Sequence, residues 1–267
     1  MPHFHSCAAS ATRQDPPAHR PEIKIPMLGT DIAKDTEVPL DSSLAIVGRP
    51  GSGATITAIR LAAAYLSSGH SVLFLDRSGD LLKPYTALAQ PVTERIPADD
   101  ASKSSCIWPI AAILDRLFAA PSHEYVDLRG ESRTGIGWAS VNITHWLSLN
   151  YRSGVRPDHR IMLVMDYFSP ELMPDFLHIM ELGRDYFYLV MTMTDTAWLS
   201  PESSIIRANA RQRLFLSTSP QLLSAEIGDF VSFSQGETTK ATPADMDLKP
   251  GTGWCSGSCG HAVIRLS

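Results

Sequence analysis

The sequence predicts an α/β protein with a doubly wound, mainly parallel sheet. Apolar segments typical of buried strands alternate along the chain with segments of helical periodicity. A glycine-rich segment, residues 48–55, follows one of these strands and leads into a helix. Residues 43–76 therefore form a strand–loop–helix–strand unit, which requires two parallel strands in one sheet. In such folds, ligands bind at the carboxyl ends of the strands.

The composition is that of one globular domain. The chain has 267 residues, of which 44% are hydrophobic and 19% charged, so it can bury a sizeable core. Its formal net charge of -5 argues against a surface dominated by nucleic-acid contacts, and charge therefore gives DNA no support as a partner. The four cysteines are scattered, which implies no disulfide framework and fits a reducing, cytoplasmic compartment.

The predicted domain spans residues 23–267 and follows a flexible tail at residues 1–22. The tail is rich in His, Ala, Ser and Pro and lacks the apolar region of a secretory signal. No apolar run in the chain approaches the roughly 18 residues that cross a bilayer. We therefore expect no direct membrane insertion, and any membrane contact would come through a partner.

The first half of the domain contains the predicted βαβ unit and a less regular region. Pro26 limits the first strand to a sheet edge, and Gly69 ends the first helix. Residues 81–159 form a variable, mainly helical segment with a polar stretch, Ser122–Arg133, between two helices. The predicted elements are an edge strand within Glu22–Gly29, a buried strand Ser43–Val47, a helix Ala54–Ser67, a strand Ser71–Leu75 that ends at Asp76, and helices Ile110–Ala119 and Gly137–Leu149.

The second half continues the alternation of strands and helices. Its strands are apolar runs, and its helices end at or near glycine. The chain closes with a hairpin predicted to turn at Ser256-Gly-Ser. The predicted elements are strands Ile161–Met165, Phe187–Met193 and Arg213–Leu216, helices Leu172–Leu182, Ile205–Ala210 and Pro220–Ile227, and the hairpin Gly253–Leu266.

The glycine-rich segment has the spacing of a phosphate-binding P-loop, G-x-x-x-x-G-K-[ST]. Its glycines allow backbone N–H groups to surround phosphate oxygens at the start of a helix. Ala54 stands where the motif has lysine, while Thr55 keeps the hydroxyl that binds Mg²⁺. A glycine-rich tight turn remains the alternative. The candidate phosphate-binding residues are Gly48, Arg49, Pro50, Gly51, Ser52, Gly53, Ala54 and Thr55.

A second motif supports a nucleotide site. Residues 160–166 form an apolar strand that ends in Asp166, the pattern of a Walker B acid that holds Mg²⁺ through water. Thr55 and Asp166 are therefore the candidate metal-binding residues. In motor ATPases the next residue is usually a glutamate that polarises the attacking water, whereas here it is Tyr167. An aspartate that merely caps the next helix is the alternative interpretation.

The C-terminal hairpin contains a weaker candidate for a metal site. Cys255, Cys259 and His261 offer three ligands that suit Zn²⁺. A closed structural zinc site needs four ligands, and this spacing is not a common zinc knuckle. A plain hairpin with buried thiols is therefore favoured.

The order of the motifs resembles that of the FtsK/HerA superfamily of translocation ATPases. Within it, the chain is most similar to the TraG/TraD-like coupling proteins of conjugation and type IV secretion. Each motif is loose, and the resemblance lies in their shared order over residues 29–267. The matching segments are Leu28–Asp31, the P-loop, Phe74–Leu81, Cys106–Ile110, Asp166–Leu172, Leu182–Phe187, Leu189–Leu199, Ala208–Leu216 and Leu248–Gly251.

The resemblance implies a RecA-like P-loop NTPase fold with a degenerate nucleotide site. Ala54 replaces the lysine, Tyr167 the Walker B glutamate, and Thr194 the polar sensor glutamine. These three changes remove chemistry around one phosphate site, so binding of ATP and Mg²⁺ is expected to be weak. Asp166 and Arg184 remain the candidate catalytic residues, with Arg184 acting as an arginine finger toward a neighbouring subunit. Arg207, Arg211 and Arg213 are weaker candidates for that role.

These motifs are compatible with three functions. The first is a pseudo-ATPase that recruits a substrate or joins an active motor in a secretion or conjugation apparatus, in a ring of like or unlike subunits. The second is a slow but genuine ATPase that drives translocation of DNA or protein. The third is a module like those of type VII secretion motors, with a signal peptide in the emptied pocket. All three imply a cytoplasmic protein, peripheral to the inner membrane only through its partners.

Overall fold

A computed structural model describes residues 26–81, 86, 107–129, 133–154, 158–169, 173–219, 221–223, 225–226, 248–257 and 260–266. The strands are β1 (Met27–Asp31), β2 (Thr36–Pro39), β3 (Leu44–Gly48), β4 (Ser71–Asp76), β5 (His123–Asp127), β6 (Ile161–Asp166), β7 (Phe187–Met193), β8 (Gln212–Leu216), β9 (Thr252–Gly257) and β10 (Gly260–Leu266). The helices are α1 (Ala54–Ser67), α2 (Ile107–Ala119), α3 (Arg133–Ser153), α4 (Met173–Leu182), α5 (Asp195–Trp198) and α6 (Ser203–Asn209), with a 3₁₀ turn at Gly183–Asp185.

All ten strands form one sheet in the order β2-β1-β10-β9-β8-β3-β7-β6-β4-β5. The six strands from β8 to β5 run parallel, and β9, β10, β1 and β2 extend the sheet in antiparallel fashion. The predicted α/β class with a mainly parallel sheet is confirmed. Its central strands are buried along their whole length, because helices cover both faces.

The alternating side chains of the strands divide the core into two layers. Ile46, Phe74 and Val164 point to one face, where they pack with residues of α1 such as Tyr65. Their sequence neighbours point to the other face, which α2, α3, α4 and the two short helices cover. The molecule is therefore a three-layer α/β/α sandwich, and the parallel strands all end at one edge.

The structure corrects several predicted elements. β1 runs over Met27–Asp31, later than expected, and residues up to 25 of the predicted strand and the tail lie outside the described residues. The edge strands β2 and β5 and the short helix α5 were not predicted, and β5 lies within the polar stretch Ser122–Arg133. In the hairpin, Ser256 and Gly257, which were predicted to lie in the turn, belong to β9 and pair with His261 and Gly260. Residues 221–223 and 225–226 of the predicted helix Pro220–Ile227 are helical.

Among the described helices, none combines the length and the apolar character needed to cross a membrane.

Candidate nucleotide site

The backbone of the glycine-rich loop approaches the neighbouring strand closely and has conformations that require glycine. A Cβ on Gly48 would lie 2.2 Å from Oγ of Ser52 and 2.7 Å from the carbonyl oxygen of Leu216 on the neighbouring strand. Gly51 and Gly53 have φ angles of 82° and 90°, in the left-handed region that favours glycine. The glycine spacing in the sequence therefore reflects the backbone path of a P-loop.

The loop presents the start of α1 to the edge of the sheet. Ala54 is the first residue of α1, and the preceding Gly53 makes no side-chain cap. The first turn of the helix contains no acidic residue. The N–H groups of this turn are not bonded by a capping side chain, and the helix dipole favours an anion beside them.

Asp166 ends β6 next to this loop but does not itself line the cleft. Thr55 and Thr192, which bond to it, do. Asp166 is 2% exposed, and three hydroxyl groups donate hydrogen bonds to its carboxyl group. Thr55 donates to Oδ1 at 3.0 Å, Ser78 donates to Oδ2 at 2.9 Å, and Thr192 also donates to Oδ1. Burial raises the pKa of the Asp166 carboxyl, the hydrogen bonds from Thr192, Ser78 and Thr55 lower it, and the charge of Asp76 raises it. The carboxylate is thus held by neutral donors.

The position of Thr55 fits a magnesium ion. Thr55 lines the cleft, and its hydroxyl proton is directed to Asp166. A hydroxyl with its single proton engaged in this way keeps its oxygen lone pairs for a cation. The oxygen donors Thr55 and Asp166 are of the kind that Mg²⁺ prefers. The described residues thus fit a phosphate at the loop and Mg²⁺ beside Thr55.

The loop and the ends of β6 and β7 enclose a cleft of about 320 Å³. The charged side chains among its described lining residues are Arg49 and Asp80. Arg49 is paired with Asp195 at the start of α5, with Nε 3.5 Å from Oδ2. The cleft is lined by Gly48, Arg49, Pro50, Gly51, Ser52, Gly53, Ala54, Thr55, Ile56, Asp80, Tyr167, Thr192, Met193 and Thr194.

Tyr167 stands where the resemblance implies a water-polarising glutamate. Its φ angle of 51° is unfavourable for a bulky residue, and its N–H donates to Oγ1 of Thr192 at 2.9 Å. The side chain is 41% exposed and lines the cleft. Ordinary packing therefore does not account for the tyrosine at this position.

Thr194 also lines the cleft, but its hydroxyl serves the local backbone. It caps α5 by accepting the N–H of Ala197 at 3.2 Å, and it lies 3.0 Å from Oγ1 of Thr196. Where the resemblance implies a sensor glutamine, the structure has a helix cap.

The structure does not bring Arg184 to the cleft. This residue is exposed in the 3₁₀ turn before β7, so it lies at the amino edge of the parallel strands, opposite the loop. A role toward a neighbouring subunit stays a prediction. Arg211 is exposed, just before β8.

Arg207 and Arg213 belong to a different cluster. Arg213 lies 3.1 Å from Oε2 of the buried Glu226, and Arg207 lies 3.9 Å from Oε1. The indole N–H of Trp198 donates to the same carboxylate at 2.7 Å. These contacts favour the interpretation of both arginines as structural ion-pair partners.

The proposed zinc ligands of the hairpin do not converge. Cys255 pairs with Ala262 across the hairpin and points into the α1 side of the core. The ring of His261 stacks on Trp254 at 5.2 Å, on the opposite face of the sheet. Cys259 lies outside the described residues, among which no group of three His, Cys, Asp or Glu side chains could hold a metal. His261 pairs with Ser256, the residue next to Cys255, and successive residues of a strand point to opposite faces of the sheet. Cys255 and His261 therefore cannot bind the same ion.

The sequence did not identify four polar residues of the site. Ser78 and Thr192 hold Asp166, Asp80 lines the cleft, and Asp195 pairs with Arg49. The only sequence signal for Ser78 and Asp80 was their place within the segment Phe74–Leu81, which resembles a family motif. The roles of Thr192 and Asp195 depend on strand register and could not be derived from spacing.

Comparison with solved structures supports the fold. No protein-family model matches this chain, and no curated protein sequence matches it. VirB4 of Thermoanaerobacter pseudethanolicus is 13% identical with a TM-score of 0.56, over 94% of this chain and 98% of that one. The bacterial conjugative coupling protein TrwB is 12% identical with a TM-score of 0.58, over 92% and 90% of the two chains. TrwB has been solved with ADPNP and with ADP and Mg²⁺.

The pCW3 conjugation coupling protein TcpA, solved with ATPγS, is 11% identical with a TM-score of 0.54. The match covers 92% of this chain and 66% of that one. Together these similarities confirm the predicted RecA-like P-loop ATPase fold.

Proposed function

We propose that this chain, which has the RecA-like fold of P-loop ATPases, is a non-hydrolysing ATPase-like domain of a conjugation or secretion apparatus. In this role it recruits a substrate or assembles with a related, active motor. The observation that carries the proposal is the cleft at the loop. There Ala54 and Tyr167 stand at the two positions where an active site has lysine and glutamate.

The backbone of the loop and the pair Thr55–Asp166 support weak binding of Mg²⁺ and ATP. The glycine conformations and the uncapped start of α1 suit phosphate oxygens. Bound Mg²⁺ would supply neutralisation of phosphate charge. The resident residues orient the loop and hold the Thr55 hydroxyl in place through Asp166.

The residues of the same cleft argue against fast ATP hydrolysis. Ala54 has no side chain that reaches a phosphate, and loss of one charge-assisted contact costs about 1.5–3 kcal/mol in binding. Tyr167 offers a phenol where the resemblance implies the carboxylate that polarises the attacking water. Loss of a group that stabilises transition-state charge lowers a rate by about 10²–10³, a scale taken from oxyanion-hole variants. Fast turnover is therefore not expected.

The assembly role rests on the fold and on the kinds of protein that share it. VirB4 and two conjugation coupling proteins have this fold, and association with proteins of such machinery, in a ring of like or unlike subunits, follows as part of the proposal. A cytoplasmic location, with contact to the inner membrane through partners, belongs to the same proposal. The net charge of -5 gives DNA no support as the substrate.

Measurements of ATP turnover and of Mg·ATP binding by the purified chain test the nucleotide part. We expect no turnover above background and weak binding by the wild type. Ala54→Lys should tighten binding about tenfold or more, because it restores a charge-assisted phosphate contact. Ala54→Met has similar length without the charge and serves as the matched control. Tyr167→Glu in the Ala54→Lys background should add turnover, whereas Tyr167→Gln should not.

Two outcomes would contradict this part of the proposal. Wild-type turnover on the order of 1 s⁻¹, abolished by Asp166→Asn, would identify a genuine ATPase. Absence of ATP binding by the folded double variant would show that the loop is not a decayed nucleotide site. Co-purification with an intact coupling ATPase from the same cell tests the assembly part, and binding of an isolated signal peptide in its place would favour a peptide-binding module.

A further inference from the structure

The ion pair between Arg49 and Asp195 lies at the rim of the cleft. Arg49 belongs to the glycine-rich loop, and its side chain is 56% exposed. Asp195 is 14% exposed and begins α5, whose Trp198 packs on the opposite face of the sheet from α1. The pair therefore joins the phosphate loop to the end of β7.

Arg49 is the positively charged residue of the glycine-rich loop. Among the described residues that line the cleft, it is the positively charged one, and Asp80 is the negatively charged one. A guanidinium presents planar N–H donors that match phosphate oxygens and can bind two of them at once. In the structure this guanidinium pairs with the carboxylate of Asp195. A carboxylate has the same charge sign as a phosphate and presents its oxygens in a similar geometry.

We propose that Arg49 is the side chain through which the loop recognises a di- or triphosphate in place of lysine, and that Asp195 is an internal anion that competes with the phosphate for it. This inference rests on the proposed function, because it concerns the same cleft. It adds that Arg49 determines the affinity for phosphate and that Asp195 limits this affinity.

The surroundings of the two residues suit an exchange of partners. Oδ2 of Asp195 also accepts the N–H of Ser219 at 3.1 Å, so the carboxylate keeps a hydrogen bond when Arg49 leaves. Arg49 lies in the loop that leads into α1, and its side chain is more than half exposed, so solvent and ligand can reach the guanidinium. An ion pair with one exposed partner is weak, so competition by Asp195 should reduce phosphate affinity only about two- to fivefold.

Titration calorimetry on the full chain with inorganic pyrophosphate and with ADP tests the inference. Pyrophosphate reports phosphate recognition without a base. Asp195→Asn should tighten both ligands two- to fivefold, and Arg49→Gln should weaken both about tenfold or more. In the Arg49→Gln background, Asp195→Asn should have no effect. Asp80→Asn is the matched control, because it removes a negative charge from the same cleft and its effect should persist without Arg49.

Four results would overturn the inference. The first is weaker or unchanged affinity of Asp195→Asn for pyrophosphate and ADP, and the second is an equal gain in affinity from Asp195→Asn with and without Arg49. The third is unchanged affinity of Arg49→Gln. The fourth is no saturable binding of either ligand by folded Asp195→Asn at millimolar concentration. Thermal melts establish that each variant is folded. Failure of the proposed function is distinguishable, because it is decided by wild-type ATP turnover and not by these affinities.

Discussion

Asp76 and Asp166 stand in register at the carboxyl ends of neighbouring parallel strands, and the hydroxyl of Ser78 lies between them. It is 3.1 Å from Oδ1 of Asp76 and 2.9 Å from Oδ2 of Asp166. A hydroxyl has one proton, so it can donate to only one carboxylate at a time. Asp76 also accepts the N–H groups of Ser78, Gly79 and Leu81. The loop after β4 is therefore folded around Asp76 and delivers Ser78 to Asp166.

Ser78→Ala should lower the free energy of unfolding by about 1 kcal/mol, because Asp166 loses its hydrogen-bond donor at Oδ2. Urea denaturation in metal-free buffer measures this effect. Ser78→Thr keeps the hydroxyl and should restore most of the stability. Equal stability of the alanine variant and the wild type would argue against the bridge.

Tyr125→Phe should destabilise the protein by about 1.5–3 kcal/mol. The Tyr125 hydroxyl donates to Oδ2 of the fully buried Asp76 at 2.6 Å, and burial raises the pKa of this phenol, so it stays protonated. Denaturant unfolding provides the measurement. Tyr151→Phe, at a position 64% exposed, is the matched control and should change stability by less than about 0.5 kcal/mol.

Glu226→Ala should be the most destabilising of these changes, by about 3 kcal/mol. It leaves the partly buried Arg213 without its anion and the indole N–H of the buried Trp198 without its acceptor. Thermal unfolding followed by circular dichroism measures the loss. Glu202→Ala removes an exposed carboxylate that makes no cap on α6 and should leave the melting temperature nearly unchanged. Similar melting temperatures for the two variants would refute a structural role for the cluster.

The positive φ of Tyr167 predicts an unusual order of stabilities at this position. Glycine adopts φ near 51° without strain, whereas a β-branched residue there is strained. Tyr167→Val should therefore be less stable than Tyr167→Gly by about 1–2 kcal/mol. Urea midpoints of the two variants decide this, and a more stable valine variant would contradict the backbone geometry.

The elements predicted well from sequence are those whose burial is complete. β3, β4, β6 and β7 are buried on both faces, so each is a continuous apolar run between turn signals. β5 lies at the edge of the sheet with one neighbour, and its residues His123 and Glu124 are only half-buried. Its polar sequence therefore resembles a loop. The same reason explains why β2 was missed.

The residues of the site also divide into those that local sequence predicts and those that it does not. The glycines of the loop are dictated by local backbone geometry, so their spacing identifies the loop from sequence alone. The hydroxyls of Ser78 and Thr192 reach Asp166 only because β4, β6 and β7 are neighbours in the sheet. That relationship joins residues far apart in the chain, and no local pattern encodes it. For the same reason, the opposite orientation of Cys255 and His261 followed only from strand register.

The three hydroxyl groups around Asp166 have a consequence for any assembly that contains this chain. Because neutral groups of the protein itself satisfy the carboxylate, this end of the sheet keeps its shape without a cation. A motor subunit alternates between shapes as its nucleotide is bound, cleaved and released. In the assembly proposed above, a subunit whose site needs no cation would keep one shape while its neighbours change theirs.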